Sequence, residues 1–430
     1  MIVNGVTLPD RYSISKAILD GNARQIMRLT GSKEKIKPET FEEKLKTVSY
    51  APNGTQWIAS NIEFPEGYVP IAITEYGNGL FVGAFSYGNM ETWEVTGGMG
   101  LMYSEDGKIW KQSNITSGDY GVIKYCDGIW LAGPNVIGTI GQLLYSEDGK
   151  IWYPTNLTSS ARNFVYANGL IMAYSGYDGD GVYYSKDGKT WTQSLTTGCD
   201  VILNANGIWV ASFYGGGAVG FKYSEDGKTW TNSNITDEFA YRIHYNGGIF
   251  VANTATYLYW SEDGKTWTQS MATRYSHRKG YGNGVWVVGH NSNGSYYSED
   301  GKTWTQSNIT SGDFASAAIT YADGIFVLVS EDSQGIYYST DGKVWTLSDL
   351  QTGTFFEVIH NHGIFLVTDI DEEKLYYSVD GAQWKTCNIS GDCFFGVPPI
   401  YGKNTWIGLD TNATTMGGKL CYSVGWELPA

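Results

Sequence analysis

The 430-residue chain is poor in charged residues, in cysteine and in long apolar segments. Only 17% of its residues are charged, and 29 Lys and Arg stand against 44 Asp and Glu, which gives a net charge of −15. Nucleic acids are bound mainly through basic surfaces, so this balance argues against a nucleic-acid partner. No apolar run approaches the roughly 20 residues of a membrane-spanning helix, so we expect no membrane insertion.

The few cysteines and histidines follow no ligand pattern. The five cysteines make no C-x-x-C pair, and the five histidines show no HExxH spacing. We therefore expect no disulfide framework, no metal site and no cofactor. The first residues also lack the basic segment and apolar core of a signal peptide, so the general secretory route is not expected.

Aromatic residues and glycine are abundant instead. Aromatic residues make up 15% of the chain, glycine occurs 55 times, and apolar residues at 42% suffice for a core. This composition suits short strands joined by tight turns. It predicts an all-β fold.

One motif, Tyr-Ser-x-Asp-Gly-Lys-x-Trp, recurs eight times at steps of 37 to 42 residues, with Trp260 in place of the Tyr in one copy and Ala382 in place of the Lys in another. Its aspartates are Asp106, Asp148, Asp187, Asp226, Asp263, Asp300, Asp341 and Asp380. A degenerate copy spans residues 50–57, and a truncated one spans 422–426. Each copy lies between two short strand-like runs, which predicts a hairpin turn. We expect the glycine to supply a positive φ, the Asp and Ser oxygens to accept turn N–H groups, and the Trp to pack into a core.

A second motif alternates with the first: an Asn-Gly or Asp-Gly pair, or a variant of it, followed by an apolar run. Its turn residues are Asn78, Asp127, Asn168, Asn206, Gly247, Asn283, Asp323, His362 and, degenerate, Lys403. These positions predict a second hairpin in each repeat. Each repeat then holds four strands, A to D, with A and B joined at this turn and C and D joined at the Asp-Gly-Lys turn.

The eight-residue motif resembles the Asp-box repeats of sialidases, sortilin-type receptors and related β-propellers. The resemblance covers roughly residues 50–430 and implies a propeller of four-stranded antiparallel blades. In that family the box joins the third and fourth strands of a blade, on the face opposite the ligand site. The resemblance is specific for the fold and says much less about activity.

The strand count predicts how the ring closes. The degenerate box supplies a D strand near residues 57–61 before any A strand appears, and the chain ends on an A–B–C unit near residue 422. These pieces complete each other, so we predict a closed ring of nine blades, with eight as the alternative. An open solenoid would leave an unmatched edge.

Residues 1–49 precede the repeat and are the basic part of the chain. They hold nine Lys and Arg and six Asp and Glu, a net charge of +3, which leaves −18 for the rest. Apolar spacing over residues 13–30 and a Pro-initiated stretch over 38–47 predict short helices. This segment is expected either to cap the propeller at 50–430 or to dock onto a partner.

An active sialidase would need an arginine triad for the substrate carboxylate, a Tyr nucleophile beside a Glu, and an Asp acid/base, as the resemblance implies. After residue 49 the chain has only Arg162, Arg242, Arg274 and Arg278. The Tyr-Arg-Ile-His run at 241–244 echoes a sialidase motif that precedes the first box, but here four boxes come earlier. A different glycoside hydrolase with two facing carboxylates stays open.

A recognition module fits the remaining pattern best. The A–B and C–D turns are monotonous, whereas the B–C and D–A loops at the other end vary, as binding loops do. The candidate ligand-binding residues lie in B–C loops: Phe85, Tyr87, Trp93, Tyr174, Tyr177 and Asp178. The alternative is that these rings anchor the loops. One aromatic residue at each D–A junction is expected to be scaffold.

A short head without a signal peptide, followed by an Asp-box propeller, looks like the tail-fibre or baseplate receptor-binding proteins of bacteriophages. That resemblance implies a protein made in the cytoplasm and found in the virion or outside the cell, with a host cell-surface glycan or receptor as ligand. Residues 1–49 would contact other tail or baseplate proteins. An intracellular protein-binding scaffold is the remaining alternative.

Overall fold

A computed structural model gives the architecture of most of the repeat region. The residues that it describes are 2–3, 6–7, 56–64, 69–88, 95–135, 141–159, 161–175, 181–215, 218–272, 279–314, 318–330, 334–361, 363–369, 372, 374–389, 399–410 and 419–423. In this part of the chain, no helix is both long and apolar enough to cross a membrane.

The protein is a nine-bladed β-propeller, so the prediction of nine rather than eight blades is confirmed. Each blade is an antiparallel sheet of four consecutive strands, except the ninth, which has five. The first strands of most neighbouring blades pack against one another, so these A strands lie innermost.

The strands, outside the ninth blade, follow one another in chain order. Blades 1 to 4 contain β4 (Val69–Gly77), β5 (Leu80–Gly88), β6 (Val95–Ser104), β7 (Lys111–Gln112); β8 (Tyr120–Cys126), β9 (Ile129–Pro134), β10 (Gly141–Ser146), β11 (Tyr153–Ser159); β12 (Asn163–Ala167), β13 (Leu170–Tyr174), β14 (Val182–Ser185), β15 (Thr192–Leu195); and β16 (Val201–Ala205), β17 (Ile208–Gly215), β18 (Ala218–Ser224), β19 (Thr231–Asn232). Blades 5 to 8 contain β20 (Ala240–Asn246), β21 (Ile249–Thr254), β22 (Tyr257–Ser261), β23 (Thr268–Ala272); β24 (Lys279–Gly282), β25 (Val285–Gly289), β26 (Ser295–Ser298), β27 (Thr305–Gln306); β28 (Ala318–Ala322), β29 (Ile325–Val329), β30 (Ile336–Ser339), β31 (Thr346–Leu347); and β32 (Phe355–Asn361), β33 (Ile364–Asp369), β34 (Lys374–Ser378), β35 (Lys385–Thr386).

The ninth blade joins the two ends of the repeat region. Its strands are β37 (Ile400–Gly402), β38 (Thr405–Asp410), β39 (Lys419–Ser423), the early strand β3 (Gln56–Glu63) and β36 (Asn388–Ile389). Strand β3 pairs antiparallel with β39, with Ile58 opposite Tyr422. The closure predicted from the orphan D strand is therefore confirmed, and β36 adds a parallel edge to it.

The amino-terminal segment forms a unit of its own. The chain divides into Met1–Pro52 with Ala430, and Asn53–Pro429. In the first unit, β1 (Ile2–Val3) pairs antiparallel with β2 (Val6–Thr7). The predicted helices at 13–30 and 38–47 lie outside the described residues.

The A–B turns have the backbone that their sequences predict. Eight of the nine predicted turn residues have a positive φ, for example Asn78 at 47° followed by Gly79 at 76°. Two successive positive φ values define the type I′ turn, whose twist matches that of the flanking strands. The ninth turn residue, His362, lies outside the described residues.

The Ser-x-Asp-Gly turns between the C and D strands, here called boxes, are local hydrogen-bonded turns, as predicted. In the fourth blade, Asp226 Oδ1 accepts the backbone N–H groups of Lys228 and Thr229, both at 2.8 Å. Ser224 Oγ donates to the same carboxylate at 3.0 Å and accepts the Gly227 N–H at 2.8 Å. The hydrogen bonds from Thr229 and Lys228 lower the pKa of the Asp226 carboxyl from its ordinary value of 3.8.

An asparagine links each of five blades to the next one. Asn234, four residues after the box Trp of the fourth blade, donates to the Trp267 carbonyl at 2.8 Å and accepts the Trp267 N–H at 2.8 Å. The same two-bond contact recurs at other blade boundaries, formed by Asn61, Asn114, Asn156 and Asn308. Because Asn61 lies in β3 and Trp110 in the first blade, one of these amide bridges also ties the closing blade to its neighbour.

The hydrophobic core lies between the blades rather than at one centre. Each B strand is buried almost throughout, and its side chains pack against the A strand and box Trp of a neighbouring blade. The cluster shared by blades 2 and 3, for example, contains Leu131, Phe164 and Trp191. The burial of these apolar side chains between the blades is the main contribution to the stability of the fold.

The amide bridges should contribute measurably to stability. We expect Asn234→Ala to lower the free energy of unfolding by about 1–3 kcal/mol, because it leaves both polar groups of the Trp267 backbone without their partner. Denaturant unfolding of the purified protein measures this loss.

The boundary between blades 7 and 8 supplies the control. There Asp349 accepts the Trp384 N–H at 2.9 Å, but a carboxylate has no hydrogen to give to the Trp384 carbonyl. Asp349→Asn should therefore raise stability, by up to about 1 kcal/mol. If both substitutions lower stability equally, the second hydrogen bond of the amide bridge has no energetic role.

The box aspartates should act on stability alone. Asp226→Ala should destabilise the protein by roughly 1–2 kcal/mol, since two turn N–H groups lose their acceptor. The depressed pKa means that this contribution is present above pH 3.8 and is lost as the pH falls through the folded-state value. Urea unfolding at neutral and acidic pH measures the loss of stability and its pH dependence. Asp237→Ala, at an exposed position, is the control. An equal effect of the two substitutions would contradict the structural role of the box aspartate.

Candidate ligand-binding face

The antiparallel blades give the propeller two different faces. The A–B turns and the boxes lie at one end of the strands, here called the box face. The B–C loops and D–A junctions lie at the other end, here called the loop face. The two faces differ in chemistry as well as in sequence.

The box face repeats one set of contacts around the ring. The box lysine of one blade pairs with the box glutamate of the preceding blade, as in Lys150 with Glu105 at 3.1 Å. The same ammonium group lies 5.3 Å from the centre of the Tyr103 ring. Exposed ion pairs of this kind contribute little individually. Their regularity is typical of a scaffold surface.

Two of the predicted ligand residues belong to the core. Phe85 is fully buried in β5 and makes an edge-to-face contact with Trp110, with ring centres 5.1 Å apart. Tyr174, the last residue of β13, is 7% exposed, and burial raises the pKa of its hydroxyl. Both lie on B strands, which are buried on both sides between blades. The prediction that Phe85 and Tyr174 contact a ligand is therefore corrected: they hold strand ends in place.

Of the four remaining predicted ligand residues, Tyr87 lies within the described part of the chain. Tyr87 is half-buried and lies across Gly97, its partner on β6; a Cβ at position 97 would come within 2.5 Å of the Tyr87 hydroxyl. Trp93, Tyr177 and Asp178 lie outside the described residues. Their assignment to the ligand site stays a prediction.

Three of the aromatic residues at D–A junctions are buried and belong to the scaffold. Phe164, Phe314 and Phe355 are at most 7% exposed and sit in three different interblade clusters. Phe239 differs, because it is only half-buried and contacts other aromatic rings at the surface. The sequence alone does not distinguish Phe239 from the other three.

An exposed aromatic platform lies on the loop face between blades 4 and 5. Tyr214, at the end of β17, is 44% exposed, and its ring centre lies 4.1 Å from that of Phe239 at an interplanar angle of 32°. The Phe239 ring in turn meets Tyr241 at 4.9 Å, edge to face. Val219, which is paired with Tyr214 across the hairpin, is 43% exposed. Among the described residues, Tyr214 and Val219 are the large apolar side chains that are exposed at loop-face strand ends.

A half-buried carboxylate accompanies this platform. Asp200, just before β16, accepts the backbone N–H of Tyr214, while its Oδ2 is buried and has no hydrogen-bond partner within the described part of the chain. Burial raises the pKa of the Asp200 carboxyl, and the hydrogen bond from Tyr214 only partly offsets this. An acceptor beside an aromatic surface is the combination that holds a polar ring such as a sugar.

A second polar group lies on the same face across blades 1 to 3. Asp119 accepts the Ser86 hydroxyl at 2.6 Å and the Asn135 amide at 2.9 Å, and the Arg162 guanidinium donates to the Asn135 carbonyl. The polar groups of these side chains therefore serve as one another's hydrogen-bond partners. The network joins three blades and leaves little hydrogen-bonding capacity for a ligand. Of the described arginines, Arg162 is thus committed to structure, whereas Arg242 is exposed on β20. Within the described residues, no group of three or more His, Cys, Asp or Glu side chains is arranged to hold a metal ion.

Comparison with known proteins identifies no family. No protein-family model matches the sequence, and no curated protein matches it. Among solved structures, a computationally designed protein named Ika8 has a TM-score of 0.47 at 10% identity, covering 71% of this chain and 96% of its own. BamB from Moraxella catarrhalis has a TM-score of 0.43 at 8% identity, covering 73% and 93%. YCF48 from Cyanidioschyzon merolae has a TM-score of 0.39 at 12% identity, covering 74% and 98%. Likenesses at this level carry no functional argument.

Proposed function

We propose that the protein is a non-enzymatic recognition module that binds a cell-surface saccharide on its loop face. The observation that carries the proposal is the cluster of the exposed Tyr214 with the half-buried Phe239 and Tyr241, beside the half-buried Asp200. Aromatic faces cover the apolar C–H patches of sugar rings, and a carboxylate oxygen can accept their hydroxyl groups.

The setting in which this binding would operate is the host attachment apparatus of a bacteriophage. The support for it is the sequence resemblance to tail-fibre and baseplate proteins. In this proposal residues 1–49 attach the propeller to other tail or baseplate proteins, since they hold the basic excess of an otherwise acidic chain. Charge complementarity of this kind favours docking between proteins.

The platform residues should be needed for binding and not for folding. We expect the double substitution Tyr214→Ala and Phe239→Ala to weaken binding to host cells or to a glycan array about tenfold or more, because stacking surface is lost. The melting temperature should change little, because Tyr214 is 44% exposed.

Tyr153→Ala is the matched control, since Tyr153 is 49% exposed but lies at the start of a D strand, next to the box turn. It should leave binding intact. Loss of stability without loss of binding in the double variant would show that the rings are anchors. Release of free sugar from the bound glycan by the wild-type protein would establish a glycoside hydrolase instead.

The head should be dispensable for saccharide binding. A chain lacking residues 1–48 retains β3, which the ninth blade requires. We expect it to fold, to bind the same saccharide with unchanged affinity, and to fail to assemble into particles. Circular dichroism, glycan binding and particle assembly measure the three outcomes, and an unfolded product would identify the head as a structural cap.

A further inference from the structure

Lys279, the first residue of β24, occupies a position that is apolar in most other blades. Counted four residues before the A–B turn, the equivalent residues are Ile123, Phe164, Ile202, Ile243, Ile319 and Val358. Those side chains belong to the interblade core. Lys279 is itself only 7% exposed, so an ammonium group replaces a core side chain at the boundary of blades 5 and 6.

The lysine reaches across that boundary to the strand that pairs with the strand of His244. Lys279 Nζ donates to the Val251 carbonyl of blade 5 at 2.9 Å. Val251 is paired with His244 on the neighbouring strand β20. His244 Nε2 is buried and has no hydrogen-bond partner among the described residues. Two basic side chains, the buried Lys279 and the half-buried His244, therefore lie at the mainly apolar boundary of blades 5 and 6.

A third basic group stands beside them at the surface. Arg242 lies two residues before His244, so both side chains leave β20 on the same side. Arg242 is exposed, and in the described part of the chain its guanidinium makes no hydrogen bond or ion pair. It directly follows Tyr241 of the aromatic platform, near the loop-face end of the strand.

No acidic side chain of the described residues pairs with these three basic groups. No carboxylate of the described residues forms an ion pair with Arg242, His244 or Lys279, and Glu238 of the preceding junction accepts a hydrogen bond from Thr254 instead. Burial lowers the pKa of Lys279 well below its ordinary value. It also lowers the pKa of His244 to about 3, with the charges of Lys279 and Arg242 as further causes. A buried basic group without a partner is costly, and a bound anion would remove that cost.

From this cluster we propose that the boundary of blades 5 and 6 is an anion-binding subsite, in which Arg242 contacts a carboxylate, phosphate or sulfate group and the basic side chains of Lys279 and His244 lie behind it. The subsite adjoins Tyr241, so the saccharide of the proposed function would carry an anionic group next to the ring that stacks on the platform. This second part rests on the proposed function; anion binding itself does not. A guanidinium is well suited to the task because its fork matches planar and tetrahedral oxyanions.

Thermal unfolding of the full-length protein in inorganic phosphate or acetate tests the subsite, with sodium chloride at matched ionic strength as reference. The wild-type melting temperature should rise saturably with the anion, because a ligand that binds only the folded state stabilises it. Arg242→Gln should weaken the apparent affinity for the anion about tenfold. Lys279→Ile, which installs the residue of four other blades, should abolish the response and raise the melting temperature without anion.

Arg162→Gln is the control, since Arg162 is the other described arginine of the propeller and bonds to Asn135. It should keep the wild-type anion response, as should Tyr214→Ala. An unsaturable response, or the same response in wild type, Arg242→Gln and Lys279→Ile, would overturn the proposal. If Tyr214→Ala loses saccharide binding but keeps the anion response, the two sites are separable. If no saccharide is bound at all, the anion result still stands by itself.

Discussion

A two-bond contact between one asparagine amide and one tryptophan backbone fastens blade to blade in this propeller. The amide of Asn234 both accepts from and donates to Trp267, and four further blade boundaries use the same pair of bonds. At the boundary of blades 3 and 4 the equivalent position holds Leu195, and there Ser194 takes over by accepting the indole N–H of Trp230 at 2.7 Å. A ring of nine sheets needs such directional contacts because apolar packing alone is non-directional. With the boundaries fixed, the A–B turns and boxes are also fixed, and only the opposite ends of the blades are free to vary.

Much of the architecture could be predicted from the sequence because its determinants are local. An Asn-Gly or Asp-Gly pair needs only its own backbone to form a type I′ turn, and Ser224 with Asp226 completes a box without help from elsewhere. The blade number followed from counting strands, since β3 had to pair with the last repeat. The amide bridges were missed even though the signal was present: an Asn recurs four residues after the box Trp. Its partner lies in the next repeat, and that relation is spatial.

The ligand site could be predicted less well, again for a physical reason. Phe85 and Tyr174 precede B–C loops in the sequence. Both nevertheless belong to buried B strands, which lie between neighbouring blades. An aromatic residue at a strand end can be core or surface, and the sequence of the strand does not decide which. Tyr214 lies in the last pairs of the β17–β18 hairpin, opposite Val219, and both side chains are exposed. Lys279 is more conspicuous, since alignment of the repeats alone shows a lysine in a column of Ile, Val and Phe.

A regular scaffold with its irregularities gathered on one face is the central feature of this protein. The aromatic platform and the half-buried Asp200 lie on the loop face of blades 4 and 5, and the basic residues lie at the neighbouring boundary of blades 5 and 6. Hydrogen–deuterium exchange of the full-length protein, with and without a saccharide identified by glycan screening, tests this account directly. Residues 213–221 and 237–244 should become protected on binding while the box turns stay unchanged. Protection confined to the box turns would place recognition on the opposite face and contradict it.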